Sequence, residues 1–139
     1  MVDGVESVQS TVRDWRYRIG WMLSTLAILF LVMDSTMKLL ALNVVLESSA
    51  PLGFGGVDTA RGLGIVLIFC TILYAVPPTA ALGAILLTGY LGGAVATHVR
   101  VGNPLFSHVL FGVYLGVVVW AGIYLRDARL RSLIPMRKG

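Results

Sequence analysis

An aspartate and a lysine stand four residues apart inside a long apolar run, at Asp34 and Lys38. With the acid first, this spacing places both side chains on one face of a helix and favours an ion pair. A charged side chain near the centre of a bilayer costs about 2.5–3.5 kcal/mol on insertion scales, so it pairs, reaches the headgroups or faces a cavity. Two interpretations follow: a local structural pair, or an ionisable site that faces the interior of a bundle.

Six further side chains are candidates for binding or proton chemistry: Arg61, Tyr90, His98, Arg100, His108 and Tyr114. His98 could relay protons near neutral pH, or it could be hydrogen-bonded at a helix end. The two histidines, even with Asp34, match no standard ligand spacing, so we expect no metal site. Tyr90 and Tyr114 could line a pocket for a flat hydrophobic ligand such as a quinone, or they could bond each other or a backbone carbonyl.

Four apolar runs must position these side chains. Hydrophobic residues make up 57% of the 139 residues and charged residues 13%, which is more apolar surface than a soluble domain of this size can bury. A helix needs about 20 residues to cross the hydrocarbon core, so the uncharged stretch from Ile19 to Met33 must continue through Asp34 and Lys38. The sequence predicts an all-α fold, a single-domain integral-membrane four-helix bundle over residues 1–139. The predicted spans are about 19–42, 59–76, 79–99 and 105–125.

The connections between the runs differ in character. Residues 43–58 contain Gly, Ser and Pro and are long enough for a structured outer loop. Pro77 and Pro78 predict a tight reversal, because neither residue can donate a helical hydrogen bond.

The basic residues indicate the orientation. Eleven Lys and Arg residues give a net charge of +4, and eight of them flank the apolar body: Arg13, Arg16, Arg18, Arg126, Arg129, Arg131, Arg137 and Lys138. Basic residues beside spans mark the cytoplasmic side, and four spans return the chain to the side where it started. We therefore predict that both termini are cytoplasmic and that six candidates lie in the outer half of the bilayer: Asp34, Lys38, Arg61, His98, Arg100 and His108. Tyr90 and Tyr114 are expected at middle depth. No basic face interleaved with aromatic residues is present, which argues against nucleic-acid binding.

Small residues predict close helix packing. Gly89 and Gly93 stand four apart in the third span, and Gly112 and Gly116 do so in the fourth. Such spacing lets helices approach closely in lipid. The glycines could pack the last two spans together, or they could form the seam of a homo-oligomer.

Three segments resemble the DoxX-like family of small bacterial membrane proteins: Met33–Lys38, Leu73–Arg100 and Tyr124–Asp127. The resemblance implies a four-helix bundle that crosses the bacterial inner membrane several times. DoxX relatives include the small subunit of a thiosulfate:quinone oxidoreductase and a partner in a membrane oxidoreductase complex. Because Cys70 is the only cysteine, a redox role here would consist of quinone access or scaffolding.

Three functional hypotheses remain open. The leading one is an accessory or ligand-binding subunit whose outer-half pocket holds a lipophilic molecule such as a quinone, or docks a redox partner. The second is an integral-membrane enzyme with a lipophilic substrate, in which Asp34 or His98 acts as acid or base beside Tyr90. The third is a structural subunit that assembles through its glycine faces. Neither a nucleophilic serine elbow, nor a phosphate-binding loop, nor a dinucleotide glycine motif is present.

Overall fold

The computed structural model describes residues 2–134, and within that range the chain forms helices joined by short turns. The last two basic residues counted above, Arg137 and Lys138, lie outside the described range. Six α-helices follow in order: α1 (Val2–Leu39), α2 (Asn43–Ser49), α3 (Val57–Ala75), α4 (Ala80–Arg100), α5 (Phe111–Arg126) and α6 (Ala128–Leu133). A π-helical turn, Leu105–Val109, leads into α5.

In residues 2–134, four helical segments are long and apolar enough to cross a membrane: α1, α3, α4 with the preceding turn, and α5 with the π-helical turn. The α1 helix packs on α3 and α5, and α4 packs on the same two helices, so α1 and α4 lie diagonally opposite. The predicted all-α four-helix membrane bundle is thereby confirmed. We call the end with the Pro77–Thr79 turn and the α5–α6 junction the terminal end, and the end with α2 and the π-helical turn the loop end.

The α1 helix is longer than the predicted first span. It begins at Val2 and has 38 residues, or about 57 Å at 1.5 Å per residue, against a hydrocarbon core of about 30 Å. Residues 2–18 are exposed throughout. The helix continues through this polar stretch because no proline interrupts it, whereas hydropathy detects only the apolar part.

The α1 helix also ends earlier than residue 42, at Leu39. Ala41 adopts a left-handed conformation with φ of 48°. The amide of Leu42 donates to the carbonyl of Met37, and the amide of Ala41 donates to that of Lys38. These two bonds form a Schellman motif, which satisfies the last carbonyls and stops the helix.

The two connections fold as compact units. Residues 43–52 form α2 and a 3-10 turn, and Arg100 Nη2 donates to the carbonyl oxygen of Leu52 at 3.0 Å. The Pro77–Thr79 segment is a 3-10 turn, and the Thr79 hydroxyl donates to the Leu73 carbonyl at 2.8 Å. Arg100 therefore holds the loop-end connection on the bundle, and the two prolines form the tight reversal.

The core contains polar as well as apolar side chains. Leu31, Leu67 and Ile123 are fully buried, but so are Ser24 and Ser35. Large apolar side chains stand exposed along all four spans. This distribution suits lipid, where apolar surface outside carries no penalty and small or hydrogen-bonded side chains let helices associate.

Candidate functional site

The ion pair predicted within the first span is present. The Lys38 ammonium donates to Asp34 Oδ2, and both side chains are only partly buried in the loop-end half of α1. It is the only salt bridge among residues 2–134. Neither Arg61 nor His98 therefore forms a salt bridge with Asp34, and the aspartate is neutralised within its own helix.

Tyr90 approaches this pair from the opposite corner of the bundle. Its ring is half-buried and packs against the core. The Asp34 carboxylate and the Cys70 thiol act electrostatically on its hydroxyl, but neither is hydrogen-bonded to it. That hydroxyl makes no hydrogen bond to any other residue in the range 2–134, and it is not fully buried, since Arg126 Nη1 is the only buried side-chain nitrogen or oxygen of that range without a partner. Tyr90 thus has unused hydrogen-bonding capacity at a partly accessible position.

The two histidines form a separate group at the end of α4. A ring nitrogen of His98 hydrogen-bonds the Asn103 amide at 2.7 Å, and that of His108 hydrogen-bonds Ser107 at 2.7 Å. The two imidazole rings lie 5.9 Å apart between centroids. Within residues 2–134, no three His, Cys, Asp or Glu side chains gather as a metal site would require.

The other three candidates face outward. Arg100 is bound to Leu52, as described above, and Arg61 is exposed near the start of α3. Tyr114 is 49% exposed on the side of α5 that would meet lipid. The eight candidate residues therefore divide into the Asp34–Lys38 pair with Tyr90, the histidine pair, and three outward side chains, and no hydrogen bond or salt bridge joins these groups.

A second polar cluster lies at the terminal end, and our sequence interpretation missed it. Tyr74 is fully buried on α3; its hydroxyl donates to the Val119 carbonyl at 2.8 Å and lies 3.0 Å from Ser24 Oγ. Arg126 Nη2 donates to the Tyr74 carbonyl at 3.0 Å. The Arg126 guanidinium carbon lies 4.3 Å from the centroid of the Trp21 ring and 5.1 Å from that of Tyr74. Three helices thus meet through one tyrosine and one arginine.

Two glycines permit this meeting. A Cβ atom on Gly20 would lie 2.6 Å from the Arg126 amide nitrogen, and one on Gly122 would lie 2.5 Å from Ser24 Oγ. Real Cβ atoms do not approach other atoms so closely, so glycine is needed at both places. Gly20 and Ser24 stand four apart, a small-residue spacing that could have indicated this contact, whereas Gly122 belongs to no such pattern.

An open cavity of about 350 Å³ adjoins the terminal-end cluster. Its walls include Tyr17 and Trp21 of α1, Pro77 of the turn, and Arg126 and Arg129 near the α5–α6 junction. Arg126 Nη1 is the one buried side-chain nitrogen or oxygen in residues 2–134 that lacks a hydrogen-bond partner.

Four membrane-length helices with large apolar side chains exposed along their outer faces define a small integral membrane protein. The DoxX-like family model matches residues 22–122, and the chain belongs to the DoxX-like family. The match includes the Met33–Lys38 and Leu73–Arg100 segments and ends before the Tyr124–Asp127 tail, which we had also associated with the family. No curated protein and no solved structure matches the chain.

Proposed function

We propose that this membrane protein is an accessory subunit that binds a lipophilic molecule of the quinone class beside Asp34, Lys38 and Tyr90. The observation that carries the proposal is the unbonded Tyr90 hydroxyl, which lies in electrostatic range of a membrane-embedded ion pair. A quinone offers two carbonyl oxygens on an apolar ring. Lys38 and Tyr90 supply donors suited to such oxygens, and the surrounding helices supply the apolar contact.

The orientation belongs to the same proposal. The exposed basic residues of the terminal end, including Arg13, Arg16 and Arg129, favour the cytoplasmic face of a bacterial inner membrane. The ion pair then lies in the outer half of the bilayer. His98 and His108 would stand between the quinone site and the outer surface, where they could exchange protons with water.

The test measures binding of ubiquinone-2 to the purified protein in detergent by equilibrium dialysis. We expect two variants each to weaken binding by about tenfold: Tyr90→Phe, because it removes a donor to the quinone, and Asp34→Asn, because it removes the carboxylate that positions the Lys38 ammonium. Asp58→Asn is the matched control, because Asp58 is an exposed acid at the same end of the bundle. Unchanged affinity in both site variants would exclude this site, and equal loss in the control would show a general charge effect.

A second candidate function, assembly, rests on a different face. A Cβ atom on Gly89, Gly92 or Gly93 would meet no atom within 4 Å, and all three glycines are exposed. Gly112 instead contacts α4, since a Cβ there would lie 2.8 Å from Val95 Cγ2. The glycines of α4 are therefore available to a helix of another subunit, whereas Gly112 serves packing within the chain.

A further inference from the structure

The terminal-end cavity combines cationic and aromatic walls. Arg126 and Arg129 contribute positive charge, and Tyr17 and Trp21 contribute rings that are amphipathic and exposed or half-buried. Tyrosine and tryptophan favour the level of the lipid headgroups. The cavity volume of about 350 Å³ falls within the range of small-ligand pockets, whose lower limit is about 300 Å³.

The Arg126 guanidinium is held in place, but one of its nitrogens makes no hydrogen bond. The Trp21 and Tyr74 rings and the Tyr74 carbonyl hold its guanidinium, while Nη1 has no partner within residues 2–134. Arg126 is half-buried as a whole, but its buried Nη1 without a hydrogen bond, on a charged group without an acidic partner in residues 2–134, costs free energy. A phosphate group would satisfy it, because the planar guanidinium donates two parallel hydrogen bonds to phosphate oxygens.

The acid in the wall offsets only part of this charge. Asp127 also lines the cavity, where its Oδ1 accepts the Arg129 amide at 2.9 Å and caps the start of α6, and the two arginines still leave the wall with a net positive charge. A neighbouring cavity of about 240 Å³ between the α1 extension and α6 is lined by Arg13, Arg16 and Arg131. The walls of the two cavities together carry five arginines and one aspartate, so they are electropositive.

From this geometry we infer that the terminal-end cavity binds the phosphate headgroup of an anionic phospholipid such as phosphatidylglycerol. The phosphate lies against Arg126 and Arg129, and the acyl chains run along the exposed apolar side chains of the bundle. Basic pockets between spans recognise lipid headgroups in this way. This site is independent of the quinone proposal, because it lies at the opposite end of the bundle.

The experiment uses the fluorescence of Trp21, the tryptophan in the cavity wall. The double variant Trp15→Phe/Trp120→Phe leaves Trp21 as the only tryptophan. This protein is reconstituted into phosphatidylcholine vesicles that contain increasing fractions of phosphatidylglycerol with brominated acyl chains, which quench the fluorescence of Trp21. In a second series, the phosphatidylcholine carries the brominated chains and the phosphatidylglycerol does not. We expect phosphatidylglycerol to be preferred about fivefold at Trp21, which corresponds to one arginine–headgroup contact.

Arg129→Gln is the main test variant, because Arg129 is exposed and its loss should leave the fold intact, whereas Arg126→Gln removes a contact to Tyr74. The preference should fall measurably in Arg129→Gln, because one of the two arginines at the phosphate is then lost. It should persist in Arg18→Gln, which removes an exposed arginine of the same end that lines neither cavity.

Three outcomes would overturn the inference. The first is equal quenching by the two lipids. The second is an equal loss of preference in Arg18→Gln, which would show surface electrostatics alone. The third is displacement of the lipid by excess inorganic phosphate, which would make the cavity a site for a free anion.

Discussion

The two ends of the bundle differ in how their charged side chains are stabilised. At the loop end, Asp34 and Lys38 neutralise each other within one helix. At the terminal end, Arg126 has no acidic partner in residues 2–134 and rests instead on aromatic rings and a backbone carbonyl from other helices. A pair four residues apart is a local property, whereas the surroundings of Arg126 depend on three helices. The comparison shows that the charge of Asp34, inside an apolar run, is paired within its own helix, whereas Arg126, at the start of the basic tail, contacts side chains of two other helices.

The largest effect should come from filling a glycine contact at the terminal end. We expect Gly122→Leu to destabilise the protein by about 1–3 kcal/mol or to prevent folding, because the new side chain collides with Ser24 and Tyr74. Unfolding by sodium dodecyl sulfate, monitored by circular dichroism, measures the change. Gly93→Leu is the control, since nothing lies within 4 Å of a Cβ there.

The same control also tests assembly. If copies of the chain associate through the open glycine face of α4, Gly93→Leu should leave the monomer stable and lower the mass seen by light scattering in detergent. An unchanged mass would mean that the glycine face of α4 does not mediate self-association and contacts lipid instead. Equal destabilisation by the two leucines would contradict the packing contrast between the two glycines.

The second effect concerns the ion pair. Asp34→Asn should lower the free energy of unfolding by about 1–2 kcal/mol, because it leaves the Lys38 charge without a partner, although the long lysine side chain can still reach toward the headgroups. The double variant Asp34→Asn/Lys38→Met should recover most of this loss, and a double-mutant cycle measures the coupling. If Lys38→Met adds a further loss, the pair is not the source of the effect.

The third effect is a difference in stability between the phenylalanine variants of Tyr74 and Tyr90. Tyr74→Phe should cost about 0.6–1.7 kcal/mol, the range of interhelical hydrogen bonds in membrane proteins, because it removes the bonds to Val119 and Ser24. Tyr90→Phe should leave the thermal midpoint unchanged, since its hydroxyl has no partner among the described residues. A comparable loss in both variants would show that Tyr90 also has a structural bond.

The smallest effect is a gain in stability. Ala41→Gly should stabilise the protein by about 0.5 kcal/mol, because Ala41 occupies a left-handed conformation that glycine adopts without strain. Leu40→Gly is a suitable comparison, since that residue precedes the left-handed position and glycine there should bring no gain. A thermal midpoint that does not rise in Ala41→Gly would contradict the strain at this helix end.

Hydropathy, charge and proline placement determined much of this protein. They predicted four spans, the reversal at Pro77 and Pro78, and a same-face pair at Asp34 and Lys38, because each depends on the composition or spacing of one segment. The polar extension of α1 back to Val2 escaped this reasoning, since a helix needs no apolar surface to continue beyond the membrane.

Only the tertiary structure decided which residues meet. The sequence suggested that six polar residues share the outer half of the bilayer and that Tyr90 and Tyr114 lie near its middle, but depth does not specify the rotation of each helix or its neighbours. The order α1–α3–α4–α5 around the bundle brings Tyr90 toward Asp34 and leaves Tyr114 exposed. It also assembles Ser24, Tyr74 and Arg126 from residues up to 102 positions apart, by close helix packing that a linear pattern does not contain.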